Sequence, residues 1–405
     1  MKKTIAIFTG NRAEYGLQIP LLRAISKEPS LDYCLIVSGA HLDSNYGLTI
    51  QEIRDDGFIV HETIDVKSGS TDLIATSNAI GESIIKITKI IEKVRPDIFI
   101  IYADRYETFA AAIASSQTNT VTAHIEGGDI TEGGALDDSV RHAITKLSHM
   151  HFTTNEEASN RLLAMGEEDW RVHTVGYPGI DLINAKEFYT PEEIVNKIPI
   201  DLNKPIIVFT QHSVSNKFNL VEKQLLPSLD AFDKLINEND IQCILTYPNN
   251  DAGGDNIYSI LRKYSLDKKN VMLYQSLGRK LYWGLLNLAK DPKYRVACVG
   301  NSSSGIKESP AFGCSAVNIG SRQLGRLRAS NVIDADYDKN VIYNAIKKCL
   351  FDDEFRNKSR ICDNPYGIGN TGNKIVNVIK NININDTLLT KKMTNKGIKK
   401  NGWYQ

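Results

Sequence analysis

Short apolar runs alternating with amphipathic ones set the narrowest limit on how this chain can fold. Residues 4–9, 33–37, 58–64, 97–102 and 121–125 are apolar and of strand length, while 17–25, 73–94 and 108–116 repeat at helical spacing. Strands and helices in that alternation build a parallel sheet covered on both faces. A second series follows, with strands at 205–210, 241–246, 271–273, 296–299 and 315–319 and helices at 221–237, 279–289, 306–312 and 341–350. Gly176-Tyr177-Pro178-Gly179 lies between the two series and reads as a hinge. At about 150 residues per domain, 405 residues exceed one core. The reading is an α/β chain of two Rossmann-like domains, 1–176 and 182–365. A helix at 366–380 returns to the first domain, and 381–405 is a polar, Lys-rich tail expected to be weakly ordered.

Composition removes several function classes. Lys plus Arg and Asp plus Glu both number 48, so the cationic excess that drives non-specific nucleic-acid binding is missing. No apolar run reaches the roughly 18 residues of a membrane span. The N-terminus enters a strand directly and has no signal-peptide pattern, so a cytoplasmic protein is expected. The six cysteines form no CxxC pair and are expected to be reduced and buried, neither disulfides nor a zinc site.

Ligands of such sheets bind beyond the carboxyl ends of the strands. There the chain places Thr9-Gly10-Asn11-Arg12-Ala13-Glu14-Tyr15-Gly16, then Ser38-Gly39-Ala40-His41, Asp104-Arg105 and Glu126. No GxGxxG dinucleotide fingerprint is present. The run 124–149 continues Glu126 into a Gly-rich loop with Asp129, Glu132, Asp137 and Asp138, and then into a helix for which Asp137 or Asp138 is the expected N-cap. On that helix Val140, Ile144, Leu147 and His151 form one stripe. Asp138, Arg141, His142, Thr145 and His149 form another, expected to face away from the core. Crowded carboxylates raise the pKa of at least one member, which keeps a general acid and a general base available near neutral pH. The plain alternative is a solvated, capped helix. In the second series, the loop Gly300-Asn301-Ser302-Ser303-Ser304-Gly305 opens a helix whose free N–H groups suit a phosphate, with Arg322 and Arg326 placed to clamp a diphosphate. Glu308, one turn on, is in reach of a ribose diol, or else serves the helix dipole.

As an ordered set, six motifs resemble the hydrolysing UDP-N-acetylglucosamine 2-epimerases of sialic-acid synthesis. They are Thr9–Gly16, Ala103-Asp104-Arg105, His124-Ile125-Glu126-Gly127-Gly128, Asp137-Asp138-Ser139-Val140-Arg141-His142, Gly300–Glu308 and Arg322-Gln323-Leu324-Gly325-Arg326. The resemblance runs from about residue 4 to about 380. It implies a GT-B-type fold with the active site in the interdomain cleft, no metal and no redox cofactor. It also implies a UDP-sugar substrate, UDP as product, and a homodimer or higher homo-oligomer. UDP-GlcNAc would lose UDP by anti elimination to 2-acetamidoglucal, and hydration with inversion at C2 would release N-acetylmannosamine. By motif, Asp104, Glu126, Asp137 and His212 are the expected catalytic residues. Arg12, Arg105, His124, Asp138, Asn249, Ser302, Ser303, Ser304, Gly305, Glu308 and Arg322 are expected to hold UDP or the sugar, and Asp181 is an expected sugar contact in the hinge.

The chain departs from the pattern at three places. The loop between Glu126 and Asp137 is about two residues longer, with Gly133-Gly134. Ser213 follows His212 where proline is expected, and the Lys-rich tail lies outside the motifs. The longer loop leaves open a close relative of the substrate, the UDP-2,4-diacetamido-2,4,6-trideoxy-glucose of legionaminic-acid synthesis. Other readings are a non-hydrolysing epimerase, a GT-B glycosyltransferase and a catalytically silent UDP-sugar sensor.

Overall fold

The structure is a computed structural model that describes residues 2–43, 48–66, 73–131, 136–214, 219–248, 253–394, 399–400 and 403–404. The chain divides into two compact units. The first comprises residues 1–129, 136–182 and 366–405; the second comprises 130–135 and 183–365.

The first unit is built on seven parallel strands: β1 (Lys3–Thr9), β2 (Leu31–Ser38), β3 (Val60–Ile64), β4 (Ile98–Tyr102), β5 (Thr122–Ile125), β6 (Met150–Thr153) and β7 (Val172–Thr174). Their order in the sheet is β3-β2-β1-β4-β5-β6-β7. On one face Phe8, Ile36, Phe99 and Ile101 pack with Ile87 and Ile91 of helix Leu73–Val94 and with Ala110 and Ala114 of helix Tyr106–Gln117. Each fully buried Phe or Ile among them contributes about 1.5–3 kcal/mol, and each Ala less. The second unit carries six parallel strands: β8 (Ile206–Thr210), β9 (Gln242–Thr246), β10 (Val271–Tyr274), β11 (Val296–Gly300), β12 (Ser315–Ile319) and β13 (Val332–Ala335). They run in the order β10-β9-β8-β11-β12-β13. Each sheet reverses direction of growth once, between β1 and β4 and between β8 and β11, and ligands of doubly wound sheets collect at that switch.

Several local expectations are corrected. The first helix spans Arg12–Lys27, so Pro20 lies inside it and Arg12 to Gly16 are helical. It starts early because the Asn11 side chain accepts from Glu14 N at 3.1 Å. The helix after the acidic loop is Leu136–Leu147, which puts Asp137 and Asp138 in its first turn and not at its cap. His149 lies beyond that helix and His151 belongs to β6. The polar stripe is not turned to solvent, for Asp138, Arg141 and Thr145 are buried. The expected helix 306–312 is one α-turn, Ser304–Lys307, and a 3-10 turn, Ser309–Phe312; Pro310 has no N–H to continue the α-helical ladder. Elements that the apolar pattern does not announce are short or polar, such as β6, β7, β13 and helices Gly254–Ser265 and Asp353–Arg360.

The helix Thr371–Asn381 belongs to the first unit and crosses helix Arg12–Lys27 closely. Residues 385–394 beyond it are also anchored to the first unit. A short helix, Asp386–Leu389, is capped by Asn385, and Leu388 is buried. All six cysteines are free and five are buried. Among the described residues no helix is long and apolar enough to cross a membrane.

Candidate functional site

In the first unit the carboxyl ends of β1, β4 and β5 bring the candidate residues together. β4 and β5 pair in register, Tyr102 with Ile125, so Asp104 and Glu126 leave neighbouring strands. Both exits use left-handed backbone at non-glycine residues, Ala103 at φ +59 and Glu126 at φ +66. Such strain persists only where surrounding contacts over-determine it, and it clusters at functional sites. Those contacts are visible. Ala103 N donates to Ile125 O at 2.9 Å and Glu126 N donates to Phe152 O at 3.0 Å.

Arg141 closes the cluster. Its guanidinium is buried and ion-paired through Nη2 with Asp104, and Nη1 stands 3.3 Å from Asp138 Oδ1. This pair explains why the polar face of helix Leu136–Leu147 turns inward, since a buried guanidinium needs carboxylate partners. It also ties the turn holding Asp137 and Asp138 to the end of β4. Asp137 itself is exposed, while the Tyr102 phenol, buried and beside Glu126, is pushed well above its ordinary pKa by burial and then by that carboxylate.

His124, expected to hold UDP or the sugar, sits between the end of β4 and helix Leu136–Leu147. It is fully buried with both ring nitrogens engaged. Ala103 O can only accept, so Nε2 carries the proton and donates to it at 2.8 Å, leaving Nδ1 to accept from the Thr145 hydroxyl at 3.2 Å. Burial pulls its pKa down to about 3, so it stays neutral and braces β4 against the helix. A Cβ on Gly127 would come 2.9 Å from His124 Nδ1, so the brace requires glycine there.

Asp181 caps a helix from a distant segment. Its two carboxylate oxygens accept from Thr371 N at 2.9 Å and Gly372 N at 3.0 Å. Helix Thr371–Asn381 has no side-chain cap of its own, and Asp181, expected as a sugar contact, supplies one. His41 is fully buried between Thr9 Oγ1 at 3.1 Å and Thr49 Oγ1 at 2.8 Å, and burial lowers its pKa to about 4. Arg12 is exposed and pairs with Glu52 at 2.8 Å; Arg105, also exposed, lies 3.5 Å from Glu107. The acids Glu14, within the Thr9–Gly16 motif, and Glu107 are buried behind Gly10, and Glu14 is raised to about 7, by burial first and Glu107 second. An acid within a helix reads as solvated, so the motif marked the position of Glu14 but not its burial, and Glu107 was not singled out.

In the second unit the switch between β8 and β11 is locked by Asn301. Its Oδ1 accepts from His212 N at 2.7 Å and its Nδ2 donates to His212 O at 2.8 Å. Gly300 before it has φ +128, and a Cβ there would lie 2.0 Å from Thr210 O, so only glycine lets the strand ends approach. Asn301 O in turn accepts from Arg322 Nη1 at 3.3 Å and Gln323 Nε2 at 2.9 Å. His212, Ser302, Ser303 and Arg322 are thereby gathered at one strand edge and partly exposed there. Ser304 Oγ pairs with the Tyr282 hydroxyl at 2.5 Å, and Glu308 accepts from Trp283 Nε1 at 2.8 Å. Arg326 donates to Ile130 O, Thr131 Oγ1 and Gln323 Oε1. Ser213, in place of the expected proline, is buried. Asn249 and Gly133-Gly134 lie outside the described residues.

Two Rossmann-like units, one with a carboxylate–arginine cluster and the other with a serine loop suited to an anion, define an α/β protein of the GT-B type. The chain belongs to the UDP-N-acetylglucosamine 2-epimerase family, whose profile matches residues 23–380. It is 32% identical over 392 residues to the UDP-N,N'-diacetylbacillosamine 2-epimerase (hydrolyzing) of Legionella pneumophila, covering 96% of this chain and 99% of the relative. It is 33% identical to the UDP-N-acetylglucosamine 2-epimerase of Neisseria meningitidis over 349 residues, 85% of this chain and 87% of the relative. Among solved structures, the Neisseria meningitidis UDP-GlcNAc 2-epimerase bound to UDP-GlcNAc aligns with a TM-score of 0.78 at 19% identity, covering 93% of this chain and 99% of that one. That structural likeness carries the fold alone.

Proposed function

We propose that this enzyme is a hydrolysing 2-epimerase that converts a UDP-2-acetamido sugar and water to UDP and the free C2-epimeric sugar. The observation that carries the reading is the cluster at β4 and β5: Asp104 and Glu126 on neighbouring strand ends, with Arg141 tying Asp104 to the Asp137–Asp138 turn. The C2 proton is weakly acidic, so its removal needs a positioned carboxylate. As it leaves, the C1–O bond breaks and UDP departs with the bonding electrons, giving a C1=C2 glycal. Water then adds, hydroxyl to C1 and a proton to C2 on the opposite face, so C2 is inverted. The two proton transfers at C2 use opposite faces, which calls for more than one acid–base group; Asp104, Glu126 and Asp137 supply three. Arg322, His212 and the Ser302–Ser303 loop hold the diphosphate and stabilise its charge on departure. Backbone N–H groups and a guanidinium support that role more than helix dipole does, because the helix behind the loop is a single turn.

Its substrate is UDP-N,N'-diacetylbacillosamine, a 2,4-diacetamido-2,4,6-trideoxy sugar; the near end-to-end likeness to the Legionella enzyme supports that choice. UDP-GlcNAc, released as N-acetylmannosamine for sialic-acid synthesis, is the second reading, supported by the Neisseria relative. The test is to incubate the protein with each UDP-sugar alone and follow products by NMR. Free epimerised sugar plus UDP is expected. A UDP-linked epimer, or no turnover of either sugar, overturns the proposal. Glu126→Gln is expected to lower kcat by about 10²–10⁴, the usual range for general acid–base catalysis, with UDP affinity little changed. Product analysis of Asp104→Asn, Glu126→Gln and Asp137→Asn then separates the two half-reactions, because a variant defective only in hydration releases the glycal.

A further inference from the structure

The segment after helix Thr371–Asn381 forms a strap on the first unit. Arg171, fully buried, donates to Leu388 O at 2.7 Å, Thr387 O at 2.9 Å and Thr390 O at 3.2 Å, and also to His149 O at 3.1 Å. Lys392 N donates to Glu168 at 3.1 Å and Thr394 N to Gly166 O at 2.8 Å. Between these anchors Lys391 turns inward. Its Nζ reaches Thr145 O at 2.8 Å, Lys146 O at 3.1 Å and Ser148 O at 2.7 Å, and stands 2.7 Å from the buried carboxylate of Glu167.

Those carbonyls lie at the C-terminal end of helix Leu136–Leu147, where the last four lack intrahelical partners and where a cation is favoured. The same helix carries Asp137 and Asp138 in its first turn and Arg141 midway along, and Arg141 holds Asp104. A helix moves as a rigid rod, so a pin at one end sets the position of the other. We propose that Lys391 is a positioning residue for the reaction, seating the strap against the last turn of this helix and so setting where Asp137, Asp138 and Arg141 stand relative to Asp104. The proposal rests on the epimerase reading above. It assigns a role to a polar, Lys-rich segment that composition alone marks as a loose tail.

The test compares wild type, K391M and K391R by steady-state kinetics, by UDP calorimetry and by hydrogen exchange of helix 136–147. Removing Lys391 leaves Glu167 paired with Lys146 at 2.8 Å and His151 at 2.9 Å, so K391M is expected to fold. If it does not, K391M/E167Q, which removes both opposed charges, takes its place. The expected result for the Met variant is a kcat roughly 10- to 100-fold lower, the scale of an ångström-sized misplacement, with UDP affinity unchanged. Exchange should quicken in helix 136–147 and stay as in wild type in β1 and β4, and K391R should restore most of the rate. A kcat within twofold of wild type, or a loss that only follows the folded fraction and is not restored by K391R, overturns the proposal. If wild type turns over neither UDP-sugar, the epimerase reading fails by itself. The exchange experiment still decides the strap, with unchanged protection of helix 136–147 overturning it.

Discussion

Asn301→Ala isolates the lock at the second switch point. Asn301 is fully buried, and its side chain makes two hydrogen bonds, to His212 N at 2.7 Å and His212 O at 2.8 Å. Its backbone bonds to Thr210, Arg322 and Gln323 survive the substitution. Two lost hydrogen bonds cost about 1 kcal/mol each, and the buried polar groups left short of those bonds add about 1 kcal/mol or more. The expected loss for the second unit is therefore about 2–4 kcal/mol. Asn301→Asp is the control. Its carboxylate still accepts from His212 N but faces His212 O without a donor, so it should be at least as destabilised at pH 7. Part of the loss should return in acid, where the protonated carboxyl can donate. Urea unfolding followed by Trp283 fluorescence, with Trp170 and Trp403 replaced by Phe, reads the second unit alone. Calorimetry reads UDP affinity, which should fall because His212 and the serine loop lose their common anchor. A loss below about 0.5 kcal/mol together with unchanged UDP affinity would show that the loop is held by something other than Asn301.

Gly300→Ala places a Cβ 2.0 Å from Thr210 O at φ +128, so β8 and β11 must part; a loss above about 3 kcal/mol is expected, and a Tm within two degrees of wild type would refute the packing argument. Arg322→Ala should weaken UDP binding by roughly 1.5–3 kcal/mol, the range for hydrogen bonds to charged groups, and an unchanged calorimetric affinity would remove Arg322 from the phosphate site. Burial alone would raise the Glu167 carboxyl, but His151, Lys391 and Lys146 bring it down from 4.5 to about 2. A depressed acid contributes stability that is present above its unfolded pKa and is lost as pH falls through the folded one. Glu167→Gln should thus cost up to ~3 kcal/mol near pH 6, and the difference should shrink between about pH 4.5 and 2, so parallel pH profiles would exclude the linkage.

Apolar periodicity determined most of the architecture. Runs of residues buried on both faces, alternating with amphipathic helices, leave few arrangements other than two covered parallel sheets, and adjacency of Asp104 and Glu126 follows once one helix joins their strands. Glycines where a Cβ would collide, such as Gly300 against backbone and Gly127 against the His124 ring, were legible as motif positions, though the atoms they accommodate were not. The state of each charged side chain was decided only in three dimensions. Periodicity assigned Asp138 and Arg141 to a polar face and charge assigned that face to solvent, yet Asp104, 37 positions before Arg141, neutralises it and permits burial. His124 and Asp181 carry the right chemistry for substrate contacts, but their partners, Ala103 O and Thr145 for one and the N-terminus of helix Thr371–Asn381 for the other, come from distant segments. The tail shows the same limit most clearly. Lysine-rich composition predicts a solvated coil because an isolated ammonium is costly to bury, and that cost is offset only when folding brings three helix-end carbonyls and the Glu167 carboxylate around Lys391. Hydrophobic burial depends on local pattern and can be read along the chain; electrostatic pairing depends on which atoms meet, and that is settled by the tertiary structure.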